Sequence, residues 1–314
     1  MTPTDKIFEQ LKAFEKNGKL AGSWLIVGPK GTGKAALLKK FIAYLLTGQE
    51  KEQDFYPDLK WITRSLTEEE KKDVAQTLSA GRELDVPITE RAKKAEITID
   101  DIREGIQFLS LTSANQNWRV LVIDSADDMN ENAANALLKL LEEPPTSSVI
   151  FLISHNLGKL LPTIRSRCRQ ITVQPLSSAQ MREFLIENYP QENADALLPF
   201  FEGSIGRIKH FFDCGGMDLY SKILQVFENT ANMENIFDLA EKAAKDEKIY
   251  TLTKDLRLFC ILEQIKAEKL PENKRKAYIT YWDETNKLFQ DAQSLYLDKK
   301  AVIIEVLLKA GNLK

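Results

Sequence analysis

Short runs of consecutive apolar residues alternate with helical patterns through the first half of the chain. The apolar runs span residues 23–28, 59–63, 118–124, 148–154 and 170–176. Their hydrophobicity is continuous rather than alternating, which is typical of strands that are buried on both faces in a parallel sheet. The pattern therefore predicts an α/β fold with a parallel sheet in this part of the chain.

A polar stretch, Arg64–Glu96, separates the second apolar run from the third and is rich in charges of both signs. This composition is typical of an insertion or a mobile surface segment. Within it, the pattern predicts a short helix at about Glu68–Ser79.

After Pro175 the strand pattern stops, and apolar residues recur at spacings of three and four, which indicates helices. Ser177 or Ser178 is the predicted N-cap of the first of these helices, and Gly203 ends a later one. The likeliest hinge is the run Cys214-Gly215-Gly216. These signals predict an α/β domain over residues 1–174, a small helical unit over 175–214 and an all-helical domain over 215–314.

The composition of the 314 residues narrows the functional classes. The net charge of -3 gives no overall basic excess, so any contact with DNA must be local or shared with partners. The three cysteines, at positions 168, 214 and 260, fit neither a disulfide framework nor a zinc cluster and indicate a reducing compartment. No apolar run resembles a signal region or a membrane span, so a soluble, cytoplasmic protein is expected.

A phosphate-binding loop is predicted between the first apolar run and the helical pattern that follows it. The spacing G-x-x-x-x-G-K is that of a P-loop, in which glycines let backbone N–H groups and a helix N-terminus face anionic oxygens. The lysine can reach the outer phosphates. The alternative is a glycine turn followed by a solvated lysine. The predicted nucleotide-binding residues of the loop are Gly28, Gly31, Thr32, Gly33 and Lys34.

Two groups that ATP hydrolysis needs are missing from this predicted site. A complete P-loop continues with Ser or Thr, whose hydroxyl binds Mg²⁺, but this chain has Ala35. Asp124 ends the third apolar run, where an NTPase places an acid, and Asp127 follows it. The next position after Asp124, a glutamate base in many ATPases, is Ser125. We therefore expect little hydrolysis by the chain itself, with weak binding of ATP or ADP left open.

Two further segments carry a resemblance to a known family. Residues 96–156, which contain WRVLVIDSADDMNENAANALLKLLEEPP, and residues 160–171, LLPTIRSRCRQI, closely resemble delta-prime subunits of the bacterial DNA polymerase III clamp loader. These are AAA+ proteins. The resemblance covers residues 1 to about 213, and beyond that point only length and helical character match. It implies a RecA-like α/β domain, a helical lid and a helical collar.

The resemblance also implies a function and partners. The resemblance implies that the chain is the stationary, largely non-hydrolysing subunit of the clamp-loader ring. This ring is part of the polymerase holoenzyme and loads the sliding clamp onto primed DNA. The implied partners are the gamma/tau motor subunits and the delta subunit, with the clamp and primer–template DNA contacted through the complex. No cofactor is required in this view. The absence of membrane partners agrees with the composition.

Arg167 is the most informative residue carried over from the family. In clamp loaders, the arginine of the motif Ser166-Arg167-Cys168 resembles an arginine finger that is lent to the ATP of a neighbouring subunit. A planar guanidinium can stabilise the charge on phosphoryl oxygens, so Arg167 is the predicted catalytic residue in trans. The alternative is a solvated basic edge formed by Arg165, Arg167 and Arg169.

Two weaker candidates for nucleotide contact come from the same resemblance. Asn156, just past the fourth apolar run, matches the position of a polar sensor, although Asn after a strand is commonly a turn residue. Arg207 matches the position of a second sensor in the lid. As a lone surface arginine, it would carry little information.

The helix predicted at Asn132–Glu143 has an unusual end. Glu142 and Glu143 lie at the negative pole of the helix before two prolines, which is mildly unfavourable. A basic group on a neighbouring subunit could offset this, although solvated acids are the commoner explanation. The predicted core residues of the helix are Ala133, Ala136, Leu137, Leu140 and Leu141.

One departure from the family concerns zinc. Many related subunits carry a four-cysteine zinc module after the P-loop, but this chain has no cysteine before Cys168, and its two histidines are far apart in sequence. The expected zinc content is therefore nil. The alternative functions are an autonomous AAA+ ATPase or clamp-loader motor subunit, disfavoured by Ala35 and Ser125, and a free-standing nucleotide or DNA binder, disfavoured by the acidic balance.

Overall fold

A parallel sheet lies at the centre of the N-terminal part of the chain. The computed structural model describes residues 2–53, 55–79, 94–111, 118–190, 192, 194–228, 233–267 and 270–310. The strands are β1 (Gly22–Val27), β2 (Leu59–Ile62), β3 (Arg119–Ile123), β4 (Ser148–Ser154) and β5 (Arg169–Thr172). They pair in parallel in the order β2-β3-β4-β1-β5. The predicted α/β class and each predicted strand are confirmed.

Helices cover both faces of this sheet. The helices of the first unit are α1 (Pro3–Lys16), α2 (Lys34–Thr47), α3 (Glu68–Ser79), α4 (Ile99–Ser110), α5 (Glu131–Glu142), α6 (Pro162–Arg165) and α7 (Ser178–Asn188). Leu25 and Leu121 belong to a buried cluster that includes residues of α4 and α5, whereas Trp24 and Val122 belong to a second cluster that includes residues of α1 and α2. Since neighbouring residues of a strand point to opposite faces, two apolar clusters account for the continuous hydrophobicity.

Helix α5 begins and ends one residue before its predicted bounds. Its N-cap is Asn130, whose side chain accepts a hydrogen bond from the Ala133 N–H, as N-cap asparagines commonly do. Four of the predicted core residues are buried, but Ala136 is only half-buried. Ala134 is buried instead, because the apolar surface of α5 is wider than the predicted stripe.

The polar segment after β2 contains the predicted helix, since α3 spans Glu68–Ser79. Residues 80–93 of this segment lie outside the described residues. Near the end of the segment, the Lys94 N–H donates to the Ser65 carbonyl, and its ammonium lies 3.1 Å from Glu68. The two ends of the segment are therefore held together.

The chain folds into two compact units, Met1–Glu192 with Gly203–Ile205, and Asn193–Glu202 with Gly206–Lys314. The predicted three-domain boundaries stay a prediction. The second unit is helical over its described residues. It contains α8 (Leu198–Phe201), most of α9 (Ile205–Asp213), α10 (Gly216–Glu228), α11 (Met233–Lys245), α12 (Glu247–Lys266), α13 (Glu272–Ser294) and α14 (Lys299–Ala310).

Helix α7 starts as predicted, with Ser177 as its N-cap in a capping box with Gln180. In the second unit, Arg257 is almost fully buried and donates to the Tyr281 hydroxyl over 2.8 Å.

Among the described residues, none of the helices has the length and apolar character that crossing a membrane requires.

Candidate functional site

The predicted P-loop lies between β1 and α2, and its glycines adopt backbone angles that other residues avoid. Gly31 and Gly33 have φ of 83° and 88°, and Gly33 is the N-cap of α2. Gly28 has φ of 157°, and a Cβ atom there would lie 2.4 Å from the Val173 carbonyl oxygen. Glycine is required at Gly28 both by its conformation and by the close approach of the backbone beyond β5.

Lys34, the first residue of α2, is buried, with 3% of its surface exposed. Its ammonium donates to the carbonyl oxygens of Gly28 and Pro29 over 2.6 and 2.7 Å. Burial lowers the pKa of Lys34 from 10.5 to about 8, although Asp127 and Asp124 act in the opposite direction. The lysine is thus bound by its own loop, and the alternative of a solvated lysine is wrong.

Neither Thr32 nor Ala35 places a hydroxyl where a complete P-loop binds Mg²⁺, which is position 35 in this chain. Thr32 is buried, and its hydroxyl donates to the Pro29 carbonyl over 2.9 Å. Ala35 packs against the apolar cluster on the α1 and α2 face of the sheet. The side chain at position 35 therefore contributes packing.

The charges of Asp124 and Asp127 lie close enough to Lys34 to oppose the lowering of its pKa by burial. The structure therefore brings the two acids and the P-loop together. Asp124 follows β3, and its N–H donates to the Ile62 carbonyl of β2 over 2.8 Å. Asp127 Oδ1 accepts a hydrogen bond from the His155 N–H over 2.9 Å. This arrangement matches the edge of a parallel sheet at which the strand carboxyl ends meet.

A serine–histidine contact at the same edge was not predicted from the sequence. Ser125 adopts a left-handed backbone conformation with φ of 66°, and its Oγ lies 3.1 Å from His155 Nε2. Burial, followed by the charge of Lys34, lowers the pKa of His155 below its ordinary value, with Asp127 and Asp124 opposing. The lowered pKa favours the neutral imidazole. The available signal was that Ser125 and His155 each follow a strand, but their contact depends on the adjacency of β3 and β4.

The two sensor candidates have local partners. Asn156 caps a short 3₁₀ turn, since its Oδ1 accepts from the Gly158 N–H over 3.0 Å. Arg207 belongs to the second unit, where it donates to the Phe200 carbonyl over 2.8 Å and pairs with Glu202 over 2.8 Å. Nucleotide contact by either residue stays a prediction.

Arg167 lies on the surface of the first unit, in the loop between α6 and β5. Its Nε donates to Glu142 Oε1 over 2.7 Å, and its Nη2 contacts the same oxygen. Its Nη1 donates to the Thr163 carbonyl over 3.0 Å, and 33% of the side chain stays exposed. A base of the same chain therefore pairs with Glu142, and a further base from a neighbouring subunit stays a prediction.

The neighbouring arginines differ from Arg167. The Arg169 guanidinium donates to the Lys19 carbonyl over 2.6 Å and lies 5.3 Å from the centre of the Trp24 ring. Arg165 and Arg169 are both exposed, so the alternative of a solvated basic edge stays open. Burial raises the pKa of the intervening Cys168 thiol to about 12, so this thiol is unreactive.

Among the described residues, no group of three or more histidine, cysteine, aspartate or glutamate side chains could hold a metal ion. The predicted absence of zinc stays a prediction.

The parallel sheet, the P-loop after β1, the acid after β3 and the helical C-terminal part together define an AAA+ protein. A solved gamma subunit-related protein of DNA polymerase III from Thermotoga maritima has this fold, with a TM-score of 0.57 and 18% identity over 98% of each chain.

A family described as DNA polymerase III, delta subunit, matches residues 4–177, which is more than half of the chain. The delta-prime subunit of Pseudomonas aeruginosa is 35% identical over 56% of this chain and 50% of its own length. That of Bacillus subtilis is 31% identical over 54% of this chain and 47% of its own length. The chain belongs to the DNA polymerase III delta-prime clamp-loader family, and it spans about half the length of these curated relatives.

Proposed function

We propose that this chain is a clamp-loader subunit that does not use its own nucleotide site for hydrolysis and supplies Arg167 to ATP held by a neighbouring subunit. The observation that carries the proposal is the state of Arg167, an anchored guanidinium with a third of its side chain exposed. A group that acts on another subunit must be both accessible and held in one orientation. Arg167 meets both requirements within its own unit.

The nucleotide site of the chain itself supports the other half of the proposal. Ala35 provides no Mg²⁺ ligand, Ser125 is not a base near neutral pH, and Lys34 bonds to two carbonyls of its own loop. Loss of one catalytic group typically lowers a rate by about 10² to 10⁴. The chain therefore binds ATP or ADP weakly and needs no nucleotide, zinc or other cofactor for its role.

The proposed partners are the gamma/tau motor subunits and the delta subunit, and through the complex the sliding clamp and primer–template DNA. Relatives named as delta-prime and as gamma or tau/gamma subunits of DNA polymerase III support this assignment. A role in the replication complex places the chain in the cytoplasm.

The proposal is tested by reconstituting the assembled complex with an Arg167→Ala chain. Arginine fingers typically accelerate phosphoryl transfer by about 10³ to 10⁵, so ATP turnover at the neighbouring site is expected to fall by about 10³-fold with assembly unchanged. Arg165→Ala is the matched control, since Arg165 is an exposed arginine at the end of α6, close in sequence to Arg167. Steady-state ATPase and size-exclusion chromatography measure the two properties. Wild-type turnover by the Arg167→Ala complex would exclude the finger.

A further inference from the structure

The C-terminal end of α5 places a carboxylate where a helix disfavours one. Glu142 is the last residue of the helix, Glu143 caps it, and two prolines follow. The helix dipole is negative at this end, so an acidic side chain there is less stable than a neutral or basic one. A nearby cation offsets this cost, and Arg167 provides one for Glu142.

The contact fixes the guanidinium of Arg167 from two directions. One carboxylate oxygen of Glu142 faces Nε and Nη2, and the Thr163 carbonyl of α6 accepts from Nη1. Leu141 of α5 and Ile164 of α6 belong to the same buried cluster. Both anchors of the guanidinium therefore stand on elements that are packed against one core, which makes the orientation of Arg167 rigid.

The contact also leaves donors for a further acceptor. A guanidinium carries five N–H donors, so engaging Nε, one N–H of Nη1 and one N–H of Nη2 leaves two. Two N–H groups are what a guanidinium uses to bind two oxygens of a phosphate group side by side. The geometry thus holds the arginine without saturating it.

We propose that Glu142 is a positioning residue for Arg167, holding its guanidinium in the orientation that reaches the nucleotide of the neighbouring subunit. This inference rests on the proposed function, since it presupposes that Arg167 acts in trans. Without the carboxylate, the long arginine side chain samples several rotamers and meets the phosphoryl group in fewer of them. Glu142 itself touches no substrate.

The test measures ATP turnover by the assembled complex carrying Glu142→Ala, Glu142→Gln or Glu143→Ala. Glu142→Ala is expected to lower kcat about 10- to 100-fold with little change in KM, because misplacing a catalytic group affects the transition state. Glu142→Gln keeps an oxygen that accepts from Arg167 and should restore part of the rate. Glu143→Ala, an exposed change at the adjacent position, should behave as wild type.

The double variant Glu142→Ala/Arg167→Ala separates positioning from an independent effect. If Glu142 acts through Arg167, the double variant loses no more turnover than Arg167→Ala alone. Additive losses would overturn the proposal, as would equal rates for Glu142→Ala and Glu143→Ala with Arg167→Ala strongly impaired. The second of these results would leave the proposed role of Arg167 as an arginine finger intact. Unimpaired Arg167→Ala would instead remove the finger and the positioning role together.

Thermal unfolding and assembly are measured on the same variants, so that a folding defect is not mistaken for lost positioning. The ion pair lies at the surface, so Glu142→Ala should shift the melting temperature by no more than about 4 °C. A loss of turnover accompanied by failed assembly in both Glu142 variants would contradict positioning and indicate a structural role.

Discussion

The first unit contains two cations in candidate functional sites, and their surroundings are opposite. Lys34 is 3% exposed and donates to two carbonyls of its own loop. Arg167 is partly exposed, bonds to a carboxylate and one carbonyl, and keeps donors available. Each residue was singled out by a short sequence motif, Lys34 by the P-loop spacing and Arg167 by the Ser166-Arg167-Cys168 motif of the family. Of the two, only Arg167 faces outward.

In the proposed function, this difference means that the nucleotide-binding motif is retained as architecture. For Lys34 to bind a phosphate it must leave two hydrogen bonds in a buried place, and no Mg²⁺ ligand at position 35 assists it. Arg167 can gain a phosphate ligand without giving up either anchor. In the proposed function, the nucleotide site of this chain is therefore the less reactive of the two sites.

The largest effect on stability is expected at Gly28. Gly28→Ala places a Cβ atom 2.4 Å from the Val173 carbonyl oxygen at a φ of 157°. We expect it to lower the free energy of unfolding by about 3 kcal/mol, measured by urea denaturation without nucleotide. Gly48→Ala is the control, since Gly48 has φ of 74° and open space around it, and should cost about 1 kcal/mol. Equal losses at both positions would show that the loop is not a structural element.

An effect of at most similar size, confined to alkaline pH, is expected from the titration of Lys34. Its folded pKa of about 8 lies below the ordinary value of 10.5, so between these values the unfolded chain binds more protons. The free energy of unfolding should therefore rise from pH 8 to pH 10.5, by up to about 3 kcal/mol. Lys34→Met should lack this component. Urea denaturation of both proteins across this range measures it, and parallel curves would show that Lys34 is not a buried cation.

The smallest effect is expected for the Arg167–Glu142 pair. Because both side chains are partly exposed, Glu142→Gln should change the free energy of unfolding by less than about 1 kcal/mol at neutral pH. The same urea experiment measures it, with Glu143→Gln as reference. A loss of several kcal/mol would mean that the pair holds the fold together, contrary to a role in orienting the arginine.

The sequence was sufficient for those features that depend on local patterns. Continuous apolar runs located the strands because both faces of the sheet are covered, and the charged pattern located α3 at its observed bounds. The sequence narrowed the N-cap of α7 to Ser177 or Ser178, and the structure selects Ser177, which forms a capping box with Gln180.

The remaining features depend on contacts that sequence spacing does not encode. Glu142 and Arg167 lie 25 positions apart, and their pairing requires α5 and α6 to pack on one core. Ser125 and His155 meet because β3 and β4 are neighbours. The bonds from Lys34 to its own loop depend on the direction of two carbonyl groups, which no residue pattern specifies.

The central claim is that Lys34 is architectural and Arg167 acts in trans. The most direct measurement is single-turnover ATP hydrolysis by the assembled complex carrying either Lys34→Met or Arg167→Ala in this chain. We expect a rate within about twofold of wild type for Lys34→Met and a loss of about 10³-fold for Arg167→Ala. A strong loss with Lys34→Met and an unchanged rate with Arg167→Ala would contradict it.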